Sequence, residues 1–412
     1  MKDYQKQPLA DDLEVEKTSD ALKDVTIGLC VGGGIAAIEA PRVIRELRRY
    51  GAKVSVYTTE NALRFIGKDA LEWASGKPVI TASSGLAEHI AQDDVALVFP
   101  ATADIIGKAA HGICPDSCTT YLQSSLGARK LVLFLPTMHD SLRLSPAFQN
   151  NVEILSSFDN VEFLEPRIEE GKWKSPSPEE IGLETAYRYN RHRQGNSRSK
   201  VLVTLGGTTT ELDSARVISN SSSGTLGSQL IKQLLERGIS VKALCGNHSA
   251  KLPKCTGVEY VHAPRFDDFR QWLSQEKNIK QLSGFFHLAA VSDYALAGEK
   301  NGKIDSSQPT LNIKLMQLPK LIKLPTVNKI PFKIGCKFTD SNSKTSMEKA
   351  SRLLIDCRLD MVFWNWGQGA FGNEDQTSGL LISHNPKENI SIVSKRQISK
   401  LLVEAYLKGK KA

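Results

Sequence analysis

The side chains best suited to chemistry gather in one loop, GGTTTELDSARVISNSSSG, from Gly206 to Gly224. Arg216 carries a planar guanidinium that clamps a phosphate or carboxylate with two parallel hydrogen bonds. Asn220 carries an amide able to donate to a developing oxyanion. Gly206 and Gly207 end an apolar run, and Ser222, Ser223 and Gly224 lead into a periodic one. A strand, a loop of small hydroxyl residues and a helix together make a phosphate cradle. There the free N–H groups and the positive helix end meet the anion. The same glycines also suit a plain chain reversal after a strand. Neither a P-loop lysine nor the regular glycine spacing of a dinucleotide fingerprint is present. Arg216 and Asn220 in the same loop favour the cradle.

The elements that must hold this loop follow from periodicity. Val201–Leu205 reads as a buried strand, and Leu226, Leu230, Leu234 and Leu235 mark one face of a helix. Further strands are predicted at Ser240–Cys245, Gly284–Ala290, Thr310–Leu315, Phe332–Phe338, Met361–Trp364 and Gly379–Ser383. Helices are predicted at Arg265–Glu276 and Ser394–Leu407. Upstream, Val25–Val31, Lys53–Thr59, Val95–Phe99 and Leu131–Leu135 are strand runs separated by helical patterns, the first broken by Gly32-Gly33-Gly34. Strands alternating with helices predict an α/β protein of two doubly wound, Rossmann-like domains with mainly parallel sheets and ligands at the strands' carboxyl ends. A helix at Ile181–Tyr189 precedes a polar connector. The expected divisions are a polar extension (1–22), a first domain (23–187), a linker (188–199) and a second domain (200–412).

At 412 residues, 41% hydrophobic and 24% charged, the chain has material for two cores. The net charge of +8 is scattered, its densest clusters being Arg188–Lys200 and Lys408–Lys411. These read as solvated linker and tail rather than a nucleic-acid surface, and the basicity suits anionic small substrates. Of seven cysteines only Cys114 and Cys118 lie close, with no second pair to build a zinc site. Reduced thiols in a cytoplasmic protein are expected. The polar, acidic start reads as neither a signal peptide nor a membrane span.

The loop GGTTTELDSARVISNSSSG resembles the signature of phosphopantothenate–cysteine ligase, a synthetase of coenzyme A biosynthesis. AAVSDYALAGEKNGKI is similar to that family's AAVADY segment and catalytic Lys-Ile, with Ala289 and Lys303 at the family's interval of 14 positions. The resemblance covers the whole second half and implies a carboxylate attacking the α-phosphate of a nucleoside triphosphate, followed by cysteine opening the acyl-nucleotide. It implies catalytic roles for Lys303, Asn220 and Arg216. Nucleotide or substrate contacts are implied for Gly206, Gly207, Ser222, Ser223, Gly224, Ala289 and Lys337, and a Mg2+ ligand at Asp293. The segment GCKFTD, with Cys336 and Lys337, is similar to eukaryotic ligases that use ATP where many bacterial ones use CTP, so either nucleotide is expected.

The first half resembles the flavin-dependent phosphopantothenoylcysteine decarboxylases that bacteria fuse in front of that ligase. GGIAAIEAPRVIRELRRYG covers the phosphate loop, FPATADIIGKAAHG the flavin motif, and LPTMHDSLRLSPAFQ the PAMN motif. FMN contacts are implied for Gly33, Gly34, Thr58 and Thr102, and an active-site role for His89, 50 positions before His139. The departures fall on the chemistry. Gly32 stands for a hydroxyl residue, Asp104 and His139 stand for asparagines, and Glu170 stands for the lid cysteine. A carboxylate cannot do a thiol's redox work. The expectation is an active ligase joined to a flavoprotein half that binds FMN weakly and no longer decarboxylates. The alternatives are a fully bifunctional enzyme, or a non-catalytic flavin-binding regulator. Both families also imply homo-oligomers, the ligase as dimers and the flavoprotein as trimers. The expected partners are small molecules, namely phosphopantothenate, cysteine and nucleotide, without nucleic acid or membrane.

Overall fold

Apolar runs with no polar alternation form strands buried on both faces, which is the signature of a parallel sheet under helices. In the computed structural model this happens twice. It describes residues 13–409 except 86, 88, 89, 171, 196–198, 299–301, 305, 306, 308, 368–371, 373 and 374. The chain divides into two compact units, Met1–Asn196 and Ser197–Ala412.

In the first unit the strands are β1 (Thr26–Val31), β2 (Lys53–Thr58), β3 (Val95–Ala101), β4 (Leu131–Pro136), β5 (Met138–His139), β6 (Val161–Phe163), β7 (Arg167–Glu169) and β8 (Lys172–Lys174). The helices are α1 (Ala40–Arg49), α2 (Lys68–Ser75), α3 (Ala103–His111), α4 (Ser117–Gly127), α5 (Asp140–Arg143), α6 (Pro146–Ser156) and α7 (Pro178–Arg193). The main sheet is parallel in the order β2-β1-β3-β4-β6, so its topological switch lies between β1 and β3. A small antiparallel sheet, β5-β8-β7, pairs His139 with Lys172. Helix α7 starts at a capping box, the Ser177 hydroxyl accepting from Glu180 N and the Glu180 carboxylate from Ser177 N. It runs to Arg193, into the stretch expected as a connector. Ion pairs from Arg188 to Glu184 and Glu162 hold those residues against the unit.

The second unit contains β9 (Lys200–Leu205), β10 (Thr209–Glu211), β11 (Val217–Ser219), α8 (Thr225–Glu236), β12 (Ser240–Cys245), β13 (Val258–His262), α9 (Phe266–Ser274) and α10 (Glu276–Ile279). There follow β14 (Leu282–His287), β15 (Tyr294–Leu296), β16 (Leu315–Gln317), β17 (Phe332–Thr339), α11 (Lys344–Asp356), β18 (Met361–Trp366), β19 (Gln376–Ser383), β20 (Ile390–Ser394) and α12 (Lys395–Gly409). Eight strands make one sheet, β13-β12-β9-β14-β17-β18-β19-β20, parallel except where β19 turns back against β18 and β20. Its switch lies between β9 and β14. Phe269, Phe285, Val362 and Trp364 belong to the core over one face, while Tyr406 of α12 meets Phe286 and Phe332 edge-on.

Two expected strands end elsewhere. Gly284–Ala290 pairs continuously only to His287 and rejoins the chain beyond β9 at Ala290, whose N–H donates to Gly206 O and whose carbonyl accepts from Thr208 N. The alternating stretch Thr310–Leu315 is exposed, and only from Leu315 does it pair, as β16 against β15. Among the described residues no helix is long and apolar enough to cross a membrane.

Close packing of α8 on β9 yields a test. A Cβ at Gly227 would lie 2.5 Å from the Cβ of Leu205, whereas one at Gly127, the last residue of α4, meets nothing within 4 Å. Alanine normally favours a helix over glycine by about 1 kcal/mol. Gly127→Ala is expected to be neutral or stabilising in thermal melts, and Gly227→Ala to destabilise by about 1–3 kcal/mol through overpacking. Equal behaviour of the two variants would contradict this packing.

Candidate functional site

Both cavities of interest open at the sheet switches. In the second unit the glycine turn after β9 passes very close to other backbone. Gly206 has φ +78°, and a Cβ at Gly207 would stand 2.2 Å from Asn220 O. Gly207 exchanges hydrogen bonds of 2.8 Å with Asn247, and Thr208 N donates to Ala290 O. The amides of Gly207 and Thr208 are therefore bonded within the protein rather than free for an anion, which corrects the cradle expected there. Gly224, at φ +77°, caps α8, and the Ser223 hydroxyl sits between Thr225 and the Gly372 carbonyl. Ser222 is half-buried beside it.

Asp213 ties the loop together, a residue the sequence motif contained without revealing its task. Its side chain is fully buried. Its carboxylate accepts from Ala215 N at 2.8 Å, Arg216 N at 2.7 Å and Ile304 N at 3.1 Å, and pairs with the Arg216 guanidinium at 3.0 Å. These N–H donors, Ala215 first, hold its carboxyl below the usual carboxylate range. One buried anion thus binds the Arg216 loop to the segment carrying Lys303, which is exposed.

A cavity of about 900 Å³ opens beside this knot, lined by Asn220, Ala289, Asp293 and Lys337 among the expected residues. Gly206, Gly207, Ser222, Ser223, Gly224, Arg216 and Lys303 are not in its lining. Asn220 donates to Ala290 O at 3.2 Å. Asp293 is paired with Lys320, and among the described residues no three His, Cys, Asp or Glu side chains converge on a metal. A lone carboxylate already matched by a lysine is no cage for Mg2+, a hard cation that keeps waters and phosphate oxygens as ligands. Asp293, expected as a metal ligand, is thus not joined by other acidic, His or Cys side chains into a metal site among the described residues.

Sequence reasoning missed Lys320, Lys323, Lys349, Arg352 and His287 in the lining. Lys349 and Arg352 share a face of α11 at i, i+3 spacing. His287 ends β14, and its Nδ1 lies 2.9 Å from the hydroxyl of Thr204. Burial, aided by the Lys320 charge, pushes the imidazole down to about 4.

In the first unit a cavity of about 790 Å³ lies at the β1/β3 switch, lined by Gly33, Gly34, Thr102, Asp104, His139 and Trp173. Thr102 caps α3, accepting from Ile105 N. Thr58 pairs in register with Val31 at the root of the glycine loop, and its hydroxyl is buried with no hydrogen-bond partner. A Cβ at Gly32 would stand 2.3 Å from Pro100 O. The missing hydroxyl at that position is thus a packing requirement of this backbone, which corrects the reading of Gly32 as a simple lost donor. Asp104 is paired with Lys108 at 2.7 Å. Glu170, at φ +53°, sits in the turn between β7 and β8, pairs with Lys174 at 3.4 Å, and is absent from the cavity lining. His89 lies outside the described residues.

A glycine loop and an apolar wall that includes Ile35, Ile38, Leu142 and Trp173 fit a flavin phosphate and ring. Gly33, Gly34 and Thr102 would hold the phosphate end, whereas Thr58, expected beside them, is buried and outside the cavity lining.

The depressed His287 sets a pH test. An unfolded histidine titrates near 6.5, so between about 6.5 and 4 the unfolded chain takes up a proton that the native ring refuses. Stability then falls as pH drops through that window. The loss of Tm between pH 7.5 and pH 5 is expected to be smaller in His287→Phe than in the parent. Identical slopes would contradict a ring kept neutral in this half-buried place.

Residues 15–188 match the family model described as Flavoprotein, and residues 196–408 match the DNA/pantothenate metabolism flavoprotein C-terminal domain. The coenzyme A biosynthesis bifunctional protein CoaBC of Thermococcus kodakarensis is 32% identical over 387 residues, covering 91% of this chain and 93% of that protein. That of Methanocaldococcus jannaschii is 30% identical over 401 residues, 95% of each chain. That of Mycobacterium tuberculosis strain H37Rv is 36% identical over 297 residues, 68% of this chain and 69% of that protein. With both halves matched in order and along nearly the full length of the archaeal relatives, the chain belongs to the coenzyme A biosynthesis bifunctional protein CoaBC family.

Proposed function

We propose that this chain joins 4'-phosphopantothenate to cysteine, using the magnesium salt of CTP or ATP, as a cytoplasmic enzyme of coenzyme A biosynthesis. The observation that carries the reading is the buried Asp213 carboxylate, which draws the Arg216 loop and the Lys303–Ile304 segment to one place. The phosphopantothenate carboxylate attacks the α-phosphorus, the bond to the β-phosphate oxygen breaks, and pyrophosphate leaves. The cysteine amine then attacks the acyl carbon, the nucleoside monophosphate leaves, and the amine loses its proton to solvent. Lys303 brings a mobile positive charge to the phosphorus. Asn220 holds the acyl oxygen, and Arg216 holds an anionic group beside it. Lys337 and the Ala289 backbone border the nucleotide, with Gly206, Gly207, Ser222, Ser223 and Gly224 shaping the loop. In the proposed division of the chain, 23–187 is the flavoprotein domain and 200–412 the ligase domain, with the connector shortened to 194–199 because α7 runs on to Arg193.

The first half is proposed to keep the flavin site without the decarboxylase. Bound FMN supplies an acceptor for electrons from a thiol substrate. What this chain lacks is a thiol at the lid and a neutral amide at the carboxylate position. Glu170 is turned to Lys174, His139 lies exposed at the cavity rim, and Asp104 presents an anion paired with Lys108. An acceptor left without its donor costs about 1–3 kcal/mol, which weakens flavin binding tenfold or more. His89 is proposed as an active-site residue of that half, on the resemblance alone.

Three outcomes are expected. Pyrophosphate release should require phosphopantothenate, cysteine, Mg2+ and either CTP or ATP, and Lys303→Ala should lower kcat by about 10²–10³ or more. A near-normal rate in that variant, or no turnover with either nucleotide, would remove the ligase reading. Carbon dioxide release from phosphopantothenoylcysteine with added FMN should be absent in the parent protein, with the Glu170→Cys, His139→Asn double variant run beside it. Robust release by the parent would restore a bifunctional enzyme. Light scattering should report a homo-oligomer, since exposed apolar side chains such as Ile35 (71%) and Met316 (56%) lie on the two units. A clean monomer would count against assembly.

A further inference from the structure

The second sheet reverses its building direction between β9 and β14. From β9 the chain lays down β12 and β13 toward one edge, then returns to place β14 on the other side of β9. The crevice outside the carboxyl ends of strands at such a switch is where open α/β sheets hold nucleotides. Thr204 and His287 stand opposite one another in register on these two strands, at that crevice. Their side chains meet at 2.9 Å, from Oγ1 to Nδ1.

Thr204 is fully buried, and its hydroxyl oxygen already accepts a hydrogen bond from Ala289 N at 3.2 Å. Among the described residues the acceptor within reach of its own proton is Nδ1 of His287, so the proton is assigned there, which places the imidazole proton on Nε2. The ring lines the cavity together with Cys336 and Lys337 of the neighbouring strand β17. Burial keeps the ring uncharged at neutral pH. The cavity thus holds two kinds of donor. Lys320, Lys323, Lys349 and Arg352 are cations suited to phosphate, and His287 is a neutral N–H suited to an uncharged acceptor.

We infer that His287, oriented by the Thr204 hydroxyl, recognises the nucleoside part of the triphosphate through an uncharged oxygen or nitrogen acceptor on its base or ribose. The inference rests on the ligase reading, which makes a nucleoside triphosphate the cosubstrate. His287 is a specificity-determining contact, and Thr204 is a positioning residue acting through it. Losing such a donor costs about a factor of ten in affinity.

The test uses the full chain, with titration calorimetry of Mg-CTP, Mg-ATP and inorganic tripolyphosphate and steady-state pyrophosphate release. His287→Phe is expected to weaken binding of the preferred nucleotide about tenfold and to raise its KM similarly. The change should fall on KM more than on kcat, with the KM for cysteine unmoved and tripolyphosphate affinity retained. His287→Gln, which restores an N–H donor, should recover part of the loss. Thr204→Val should resemble His287→Phe, and Thr204→Ser should resemble the parent. Circular dichroism checks that each variant folds; should His287→Phe fail to fold, His287→Gln against Thr204→Val and Thr204→Ser decides. Nucleotide affinity unchanged in the folded variants, or an equal loss for nucleotide and tripolyphosphate, overturns the inference and leaves the ligase reading standing. A parent protein that binds no nucleotide overturns both.

Discussion

The ligase-type site depends on how closely backbone passes backbone at Gly206 and Gly207. Asn220, Gly246–Asn247 and Ala290 all come within reach of this turn, and a Cβ at Gly206, Gly207 or Gly246 would stand within 2.6 Å of a carbonyl oxygen. Bonds through Gly207, Thr208 and Ala290 then lace the ends of β9, β12 and β14 together. Glycine permits that approach because it carries no Cβ, and the lacing compensates for its conformational freedom. Asn220 and Ala289 can border one cavity only because this knot draws their segments together.

Charge placement follows from the same knot. Asp213 is buried without its penalty dominating, because three N–H donors and a guanidinium surround the carboxylate. Removing any one of them leaves a buried anion partly uncompensated, so Arg216 has a structural task besides any contact with substrate. Around the cavity mouth the balance is different. Lys320 and Asp293 are half-exposed partners whose pairing is worth little in water and is readily exchanged for a ligand. The loop is held firmly and the rim loosely, the division a site needs if it is to admit a large polyanion.

In the flavoprotein half the cavity's geometry stands beside residues that differ from those the flavoprotein signature leads one to expect. The β1/β3 switch, the glycine loop and the Thr102 cap form an intact cavity edge. Each departure is accommodated locally. Gly32 leaves room for Pro100 O, Asp104 is neutralised by Lys108 one turn along, and Glu170 pairs with Lys174 across its own hairpin. Gly32 and Asp104 are accommodated without a left-handed backbone, whereas Glu170 adopts one, at φ +53°, which costs a side-chain-bearing residue free energy.

Sequence alone was enough for the two α/β patterns, the parallel sheets, the glycine turns and the residues quoted from the two signatures. These are local properties, carried by runs of four to eight apolar residues and by short motifs. It was not enough for α11, whose buried residues are only Ala350 and Leu354, too narrow a stripe to register as a period. Nor did it reveal that the chain past β14 rejoins the extension of β9 at Ala290, through a bond to Gly206, 84 positions away. The tasks of Asp213 and His287 were hidden for the same reason. Asp213 meets Ile304 across 91 positions and His287 meets Thr204 across 83. A lone aspartate and a lone histidine carry no local signal, and only the folding of distant segments onto one sheet switch decides what each touches.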